Sequence, residues 1–260
     1  MSLKTEQNNQ VLTLTLSRPE VSNAFNSELI EQLNESVLMA HNSDDLRAVV
    51  LRGEGKNFSA GADLSWMLSM KDLSTDDNVK DAKDLASLMY NVAHCRKPVI
   101  AVVQGAVMGG GVGLAACADI VIAEEKAFFA LSETRLGLSP ATISPFVVNA
   151  MGARQANRYM LTGERFSAAK AMALGLVHEV ASQAELNSQL ESIVTHLLQG
   201  GPASHRKIKK LIRDVNARPV DEELMDNLAW RIANQRVSEE GQEGLSAFLE
   251  KRSPNWRSEM

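Results

Sequence analysis

Apolar positions along the chain follow two periods. Residues 11–16 alternate leucine or valine with threonine, the two-residue repeat of a half-buried strand. Arg18-Pro19-Glu20 breaks that run, and Asn26-Ser27 supplies helix-capping side chains. Leu29, Ile30, Leu33, Val37 and Leu38 then recur at helical spacing, which predicts a helix over 27–40. A short β-rich run at 48–51 ends at Gly53 and Gly55, a second helix is expected at about 79–93, and residues 99–103 are apolar throughout. An unbroken apolar strand is one covered on both faces, as in a parallel sheet flanked by helices. A glycine-rich stretch at 105–113 leads into an alanine-rich helix ending near Cys117, and 119–123 supplies another buried strand.

The first half is therefore serially β-α. Beyond Pro140 the pattern predicts helices at 143–151, 153–161, 168–173, 183–199, 202–216, 221–235 and 239–250, with strand character only at 177–180. The fold class is α/β, with a core over 1–200 and a C-terminal helical region over 201–260. No repeat of solenoid length is found.

Two loops of small residues stand where buried strands end, at 58–64 (F-S-A-G-A-D-L) and 104–111 (Q-G-A-V-M-G-G-G). Ligands of α/β folds bind at such strand ends. Three consecutive glycines feeding a helix expose backbone N–H groups that no side chain shields, and the helix dipole favours negative charge there. That is the chemistry of an oxyanion hole. Either loop alone is more often a simple turn. The phosphate-loop pattern is absent and no G-x-G-x-x-G follows a strand, so nucleotide hydrolysis and hydride transfer lose support.

With 260 residues and 45% hydrophobic content the chain can bury a large core. Residues 1–10 are polar, with no secretory signal, and no run reaches the ~18 apolar residues of a membrane span. A soluble, cytoplasmic protein is expected, with Cys95 and Cys117 as reduced core residues. A net charge of -5 gives no overall attraction to nucleic acid or membrane. The basic run at 205–213 reads as the solvated face of a helix. The five histidines have no metal-site or triad spacing, so neither metal nor cofactor is expected. Asp119 is expected to satisfy backbone donors near the glycine loop, and the charged stretch at 71–84 to be a mobile surface segment by the pocket mouth.

The order of F-S-A-G-A-D-L, K-P-V-I-A-V-V-Q-G and M-G-G-G-V-G-L-A-A-C-A-D-I resembles the enoyl-CoA hydratase/isomerase, or crotonase, superfamily. The likeness continues through F-A-L-S-E-T-R-L-G-L at 129–138, L-T-G-E-R-F-S-A-A-K-A at 161–171 and E-G-Q-E-G-L-S-A-F-L-E-K-R at 240–252. It implies a spiral of β-α-β units whose C-terminal helices pack trimers, paired or not into hexamers, and an acyl-CoA thioester as substrate, coenzyme A being part of that substrate. Ala62 and Gly110 would donate two N–H groups to the thioester oxygen, and Glu133 would be the acid/base. Ala60, Asp63, Leu64, Ser65 and Gly109 would line the CoA site, with Phe248 and Lys251 reaching it from an adjacent subunit.

The hydratase pattern of this family has a second glutamate, whose position here is Gly113. Glycine can neither hold nor deliver a proton, so double-bond isomerisation stands beside hydration. A non-catalytic CoA- or RNA-binding relative is the third alternative. L-S-W-M at 64–67, L-S-P-A-T-I-S-P-F-V-V at 138–148 and Gly113 together resemble the methylglutaconyl-CoA hydratase branch, which implies a carboxylated substrate of leucine degradation. That carboxylate would act where the glutamate is missing, aided by Thr142 and Ser144.

Overall fold

The computed structural model describes residues 2–216 and 218–257. They divide into two compact units at Ile193/Val194, inside a helix and a few residues before the boundary expected at 200.

The first unit is built on a six-stranded sheet. It opens with β1 (Leu3–Asn8) and β2 (Val11–Leu16), a hairpin, followed by helix α1 (Ser27–Asn42) and β3 (Ala48–Gly53). Helices α2 (Leu64–Ser69) and α3 (Thr75–His94) lead to β4 (Val99–Val103), β5 (Ala106–Met108), helix α4 (Gly110–Cys117), β6 (Ile120–Glu124) and β7 (Phe128–Ala130). Helices α5 (Ser144–Met151) and α6 (Ala153–Thr162), strand β8 (Phe166–Ser167), α7 (Ala168–Ala173) and β9 (Glu179–Ala181) complete it, with the start of α8 (Leu186–Gln199). The large sheet runs β1-β2-β3-β4-β6-β9, parallel except for the first pair. A smaller sheet, β5-β7-β8, takes up the chain just past β4 and β6.

Physical causes of this order are local. Every residue of β4 is buried, as its unbroken apolar sequence predicts for a strand covered on both faces. Helix α1 is capped by Asn26, whose side chain accepts from the Leu29 N–H, and it buries Leu29, Ile30, Leu33, Val37 and Ala40. Leu38, counted in the same apolar period, is turned outward.

Strands β5, β7 and β8 and helix α2 have no counterpart in the predicted pattern, and β1, the start of α3 and β9 depart from it. Residues 3–8 form β1 although they read as a polar leader, because an edge strand with one buried residue needs no apolar alternation. The charged stretch at 71–84 is helical from Thr75: Ser74 caps it, accepting from the Asp77 N–H, and Asp76 and Asp77 suit the positive end of the helix dipole. The strand expected at 177–180 is shifted to Glu179–Ala181, since Leu176 and Val177 close the turn after α7 through N–H bonds to the Ala171 carbonyl.

The second unit holds the end of α8 with α9 (Pro202–Val215), α10 (Glu222–Arg236) and α11 (Glu239–Leu249). The Glu240 carboxylate accepts the Ala203 and Ser204 N–H groups at 2.7 Å each and so caps α9 from another helix. Among the described residues no helix is long and apolar enough to cross a membrane, and no three His, Cys, Asp or Glu side chains are grouped to hold a metal ion.

Candidate active site

The 58–64 loop leaves the end of β3 and the 104–111 loop leaves the end of β4, two adjacent parallel strands. Parallel pairing therefore delivers both loops to one end of the sheet, and a backbone bridge joins them at Ser59 and Val107. The Ser59 N–H donates to the Ala106 carbonyl and the Met108 N–H to the Ser59 carbonyl.

Each loop is sharpened at the cavity by a glycine of positive φ. Gly61 has φ +91°, and a Cβ there would meet the Met108 carbonyl oxygen at 2.9 Å. Gly109 has φ 49° and ψ −117°, a region open only to glycine, and a Cβ there would lie 2.9 Å from Glu133 Oε1 and 3.8 Å from Gly61 Cα. The two bends thus touch each other, with the Glu133 carboxyl against them.

The residue after each bend keeps its N–H unused. The Phe25 N–H donates to the Gly61 carbonyl and the Asp63 N–H to the Phe25 carbonyl, while the Gly61 N–H donates to Ser59 Oγ at 3.2 Å. Ala62, held between them, has an N–H with no protein acceptor among the described residues. On the other loop the Gly109 N–H donates to the Ala130 carbonyl, and the Gly113 N–H closes the first turn of α4 onto the Gly109 carbonyl. The Gly110 N–H, in that first turn, likewise finds no protein acceptor among the described residues.

Glu133 opens a 3-10 turn, Glu133–Leu136, that directly follows the buried end of β7. Its Oε2 is buried without a hydrogen-bond partner. Burial pushes the Glu133 carboxyl above the ordinary carboxylate range, against a smaller opposing effect of its own backbone N–H. A carboxyl held above its ordinary range keeps a proton more readily than an exposed one.

One cavity of about 690 Å³ gathers these groups. Its wall includes Ala60, Ala62, Asp63, Leu64, Ser65, Gly109, Gly110 and Glu133, so the two loops and the glutamate named from the sequence border the same space. Leu64 and Ser65 are exposed at its mouth. Asp63 borders it as well, but its carboxylate is committed: it accepts from the Ser65 and Trp66 N–H groups as the α2 cap and pairs with Arg18 Nη2 at 3.0 Å. Phe248 and Lys251 belong to the second unit, where Phe248 is 82% exposed and Lys251 has φ 57°.

Thr142 lines the cavity, whereas Ser144 does not and turns its hydroxyl to the Ala141 carbonyl. Asp119 satisfies a backbone donor, that of Val99 at the start of β4 (2.7 Å).

Sequence reasoning missed Asn23. It is fully buried at φ 54°, and its Nδ2 donates to the Glu54 and Asn57 carbonyls at 2.9 and 2.8 Å while its Oδ1 accepts the Arg18 N–H. Its own carbonyl accepts the Ser59 hydroxyl. An Asn among turn residues signals left-handed backbone, but not these long-range bonds. Arg135 was also passed over; it lines the cavity and makes no ion pair among the described residues.

The model of the family "Enoyl-CoA hydratase/isomerase" matches residues 6–259. The chain is 31% identical to a carnitinyl-CoA dehydratase of Salmonella typhi, covering 98% of each chain. It is 30% identical to a trans-2-decenoyl-(acyl-carrier-protein) isomerase of Streptococcus mutans, covering 95% of each. Among solved structures it is similar to an enoyl-CoA hydratase from Shewanella pealeana at TM-score 0.95 and 42% identity, covering 98% of this chain and 96% of that one.

Proposed function

The chain belongs to the enoyl-CoA hydratase/isomerase family, and from that premise we propose that it adds water to an α,β-unsaturated acyl-CoA that is branched and carboxylated, of the 3-methylglutaconyl-CoA kind. The observation that carries the reading is the buried Glu133 carboxyl, with Oε2 unpartnered, beside two loops that each leave one N–H without a protein acceptor.

In this mechanism the thioester oxygen accepts the Ala62 and Gly110 N–H groups. The Glu133 carboxylate takes one proton from water as the water oxygen bonds to Cβ, and the C=C electron pair moves through Cα onto the thioester oxygen. The enolate so formed is stabilised by donors already aimed at it, each typically worth ~3 kcal/mol of barrier. Glu133 then returns that proton to Cα, so one water is added and the enzyme is unchanged. The same steps reversed dehydrate a 3-hydroxyacyl thioester.

Carboxylated substrates are supported by the missing second glutamate, by Thr142 in the cavity wall, and by Arg135, whose cation has no internal counter-ion among the described residues. A second reading is double-bond isomerisation, in which Glu133 moves a proton between Cγ and Cα without water. It is favoured by the single carboxylate and by the likeness to the Streptococcus isomerase. The working assembly is a homotrimer or a pair of trimers in which Phe248 and Lys251 approach the CoA of a neighbouring subunit. The apolar exposure of Trp230, Val237, Phe248 and Leu249 in the second unit supports it.

Turnover of 2-enoyl and 3-enoyl thioesters, followed by absorbance at sub-stoichiometric protein, tests both readings. Hydration of 3-methylglutaconyl-CoA well above crotonyl-CoA is expected, and Glu133→Gln should lower it about 100-fold or more. Near wild-type turnover in that variant removes Glu133 from the chemistry.

A further inference from the structure

The position of the missing glutamate is filled. A Cβ built on Gly113 would lie 2.2 Å from Ile143 Cγ2 and 2.6 Å from Ile143 Cβ, where ordinary contact begins at 3.4 Å. Ile143 is 2% exposed and forms part of the cavity wall, whereas Gly113, on α4, is buried and is not part of that wall. The isoleucine therefore stands between the cavity and Gly113. Its backbone is held in place: it is the residue from which α5 starts, and its carbonyl accepts the Phe146 and Val147 N–H groups.

We propose that Ile143, seated on Gly113, is a specificity-determining residue that presents hydrocarbon to the acyl group where relatives with two glutamates present a carboxylate, and so selects acyl-CoA substrates carrying an alkyl branch at Cβ. The proposal rests on the reading of the cavity as an acyl-CoA site. A methyl buried against such a wall gains about fourfold in affinity, and an unbranched acyl chain leaves that surface uncovered. The same contact explains why position 113 is glycine: any side chain there would collide with the wall.

Binding of two unreactive thioesters that differ by this methyl isolates the wall from the chemistry. Wild-type protein should bind isovaleryl-CoA about fourfold more tightly than butyryl-CoA in a calorimetric titration. Ile143→Ala should lose that preference, and Ile143→Val, which keeps the β-branch and the fold, should reduce it by about half. No preference in the wild type, or an unchanged one in both variants, overturns the proposal. Should Ile143→Ala fail to fold, the Ile143→Val ratio decides by the same criterion.

A second arm uses crotonyl-CoA turnover. Gly113→Glu alone should fold poorly or hydrate no better than wild type, while Gly113→Glu with Ile143→Ala should exceed Ile143→Ala alone at least tenfold. A single Gly113→Glu variant with wild-type Tm and the faster rate overturns the steric link. If neither thioester binds, the acyl-CoA reading itself fails; binding without preference removes only the wall.

Discussion

The two loops that meet at the cavity free a backbone N–H by opposite means. Around Ala62 the backbone is fastened by added groups: the Ser59 hydroxyl holds the Gly61 N–H, Phe25 brackets Ala62 from both sides, and Asn23 ties the whole turn to Glu54 and Asn57. Around Gly110 it is fastened by subtraction. Added Cβ atoms would strike Glu133 Oε1 from Gly109, the Phe25 ring from Gly110 (2.8 Å) and the Ser59 carbonyl from Gly111 (2.9 Å). Apart from Gly61, the first loop is vulnerable chiefly to lost hydrogen bonds, and the second to gained atoms at three consecutive positions.

That contrast is sharpest at Gly109. Gly109→Ala adds one carbon in a backbone region closed to alanine and pushes it into the carboxyl of Glu133. A fall of ~1000-fold in kcat/KM is expected, the size of losing an aimed donor together with a misplaced acid/base. Retention within tenfold would show that the second loop tolerates gained atoms and that the contrast is false.

On the first loop the largest effect belongs to Asn23→Ala, which strands two part-buried carbonyls and the Arg18 N–H. A loss of about 3 kcal/mol in denaturant unfolding is expected, at an unchanged m-value. Ser59→Ala removes one hydroxyl with two bonds and should cost about 1–2 kcal/mol, with kcat falling more than KM changes. Equal activity in Ser59→Ala and wild type would mean that the Gly61 N–H needs no tether.

Glu133→Gln carries the smallest expected effect, on stability. The folded carboxyl titrates above its unfolded value, so in the window between them the native state binds more protons and stability falls as pH rises. The variant, which never ionises there, should melt slightly above wild type at pH 7, and the gap should close below the ordinary glutamate range. A gap independent of pH would assign the effect to packing instead.

How much of this could be read from the sequence follows from the range of the interactions. Strands β2, β3, β4 and β6 and the helices α5–α11 lie close to expectation because burial periodicity and caps are local. The two glycine loops and Glu133 were legible by motif, and they line one cavity. Asn23 and the Arg18–Asp63 pair were not, because their partners stand far off along the chain and no spacing announces them. Strand β1 was hidden because an exposed edge carries polar residues, and Ile143 because one apolar residue in L-S-P-A-T-I-S-P looks like any other.

Strands β3 and β4 are neighbours in the sheet although a whole crossover, α2 and α3, separates them in the chain. Closing that long loop costs conformational entropy, and both bends at the cavity issue from those two strands. The cavity therefore exists only where those two strands have paired, and no shorter stretch of the chain carries it.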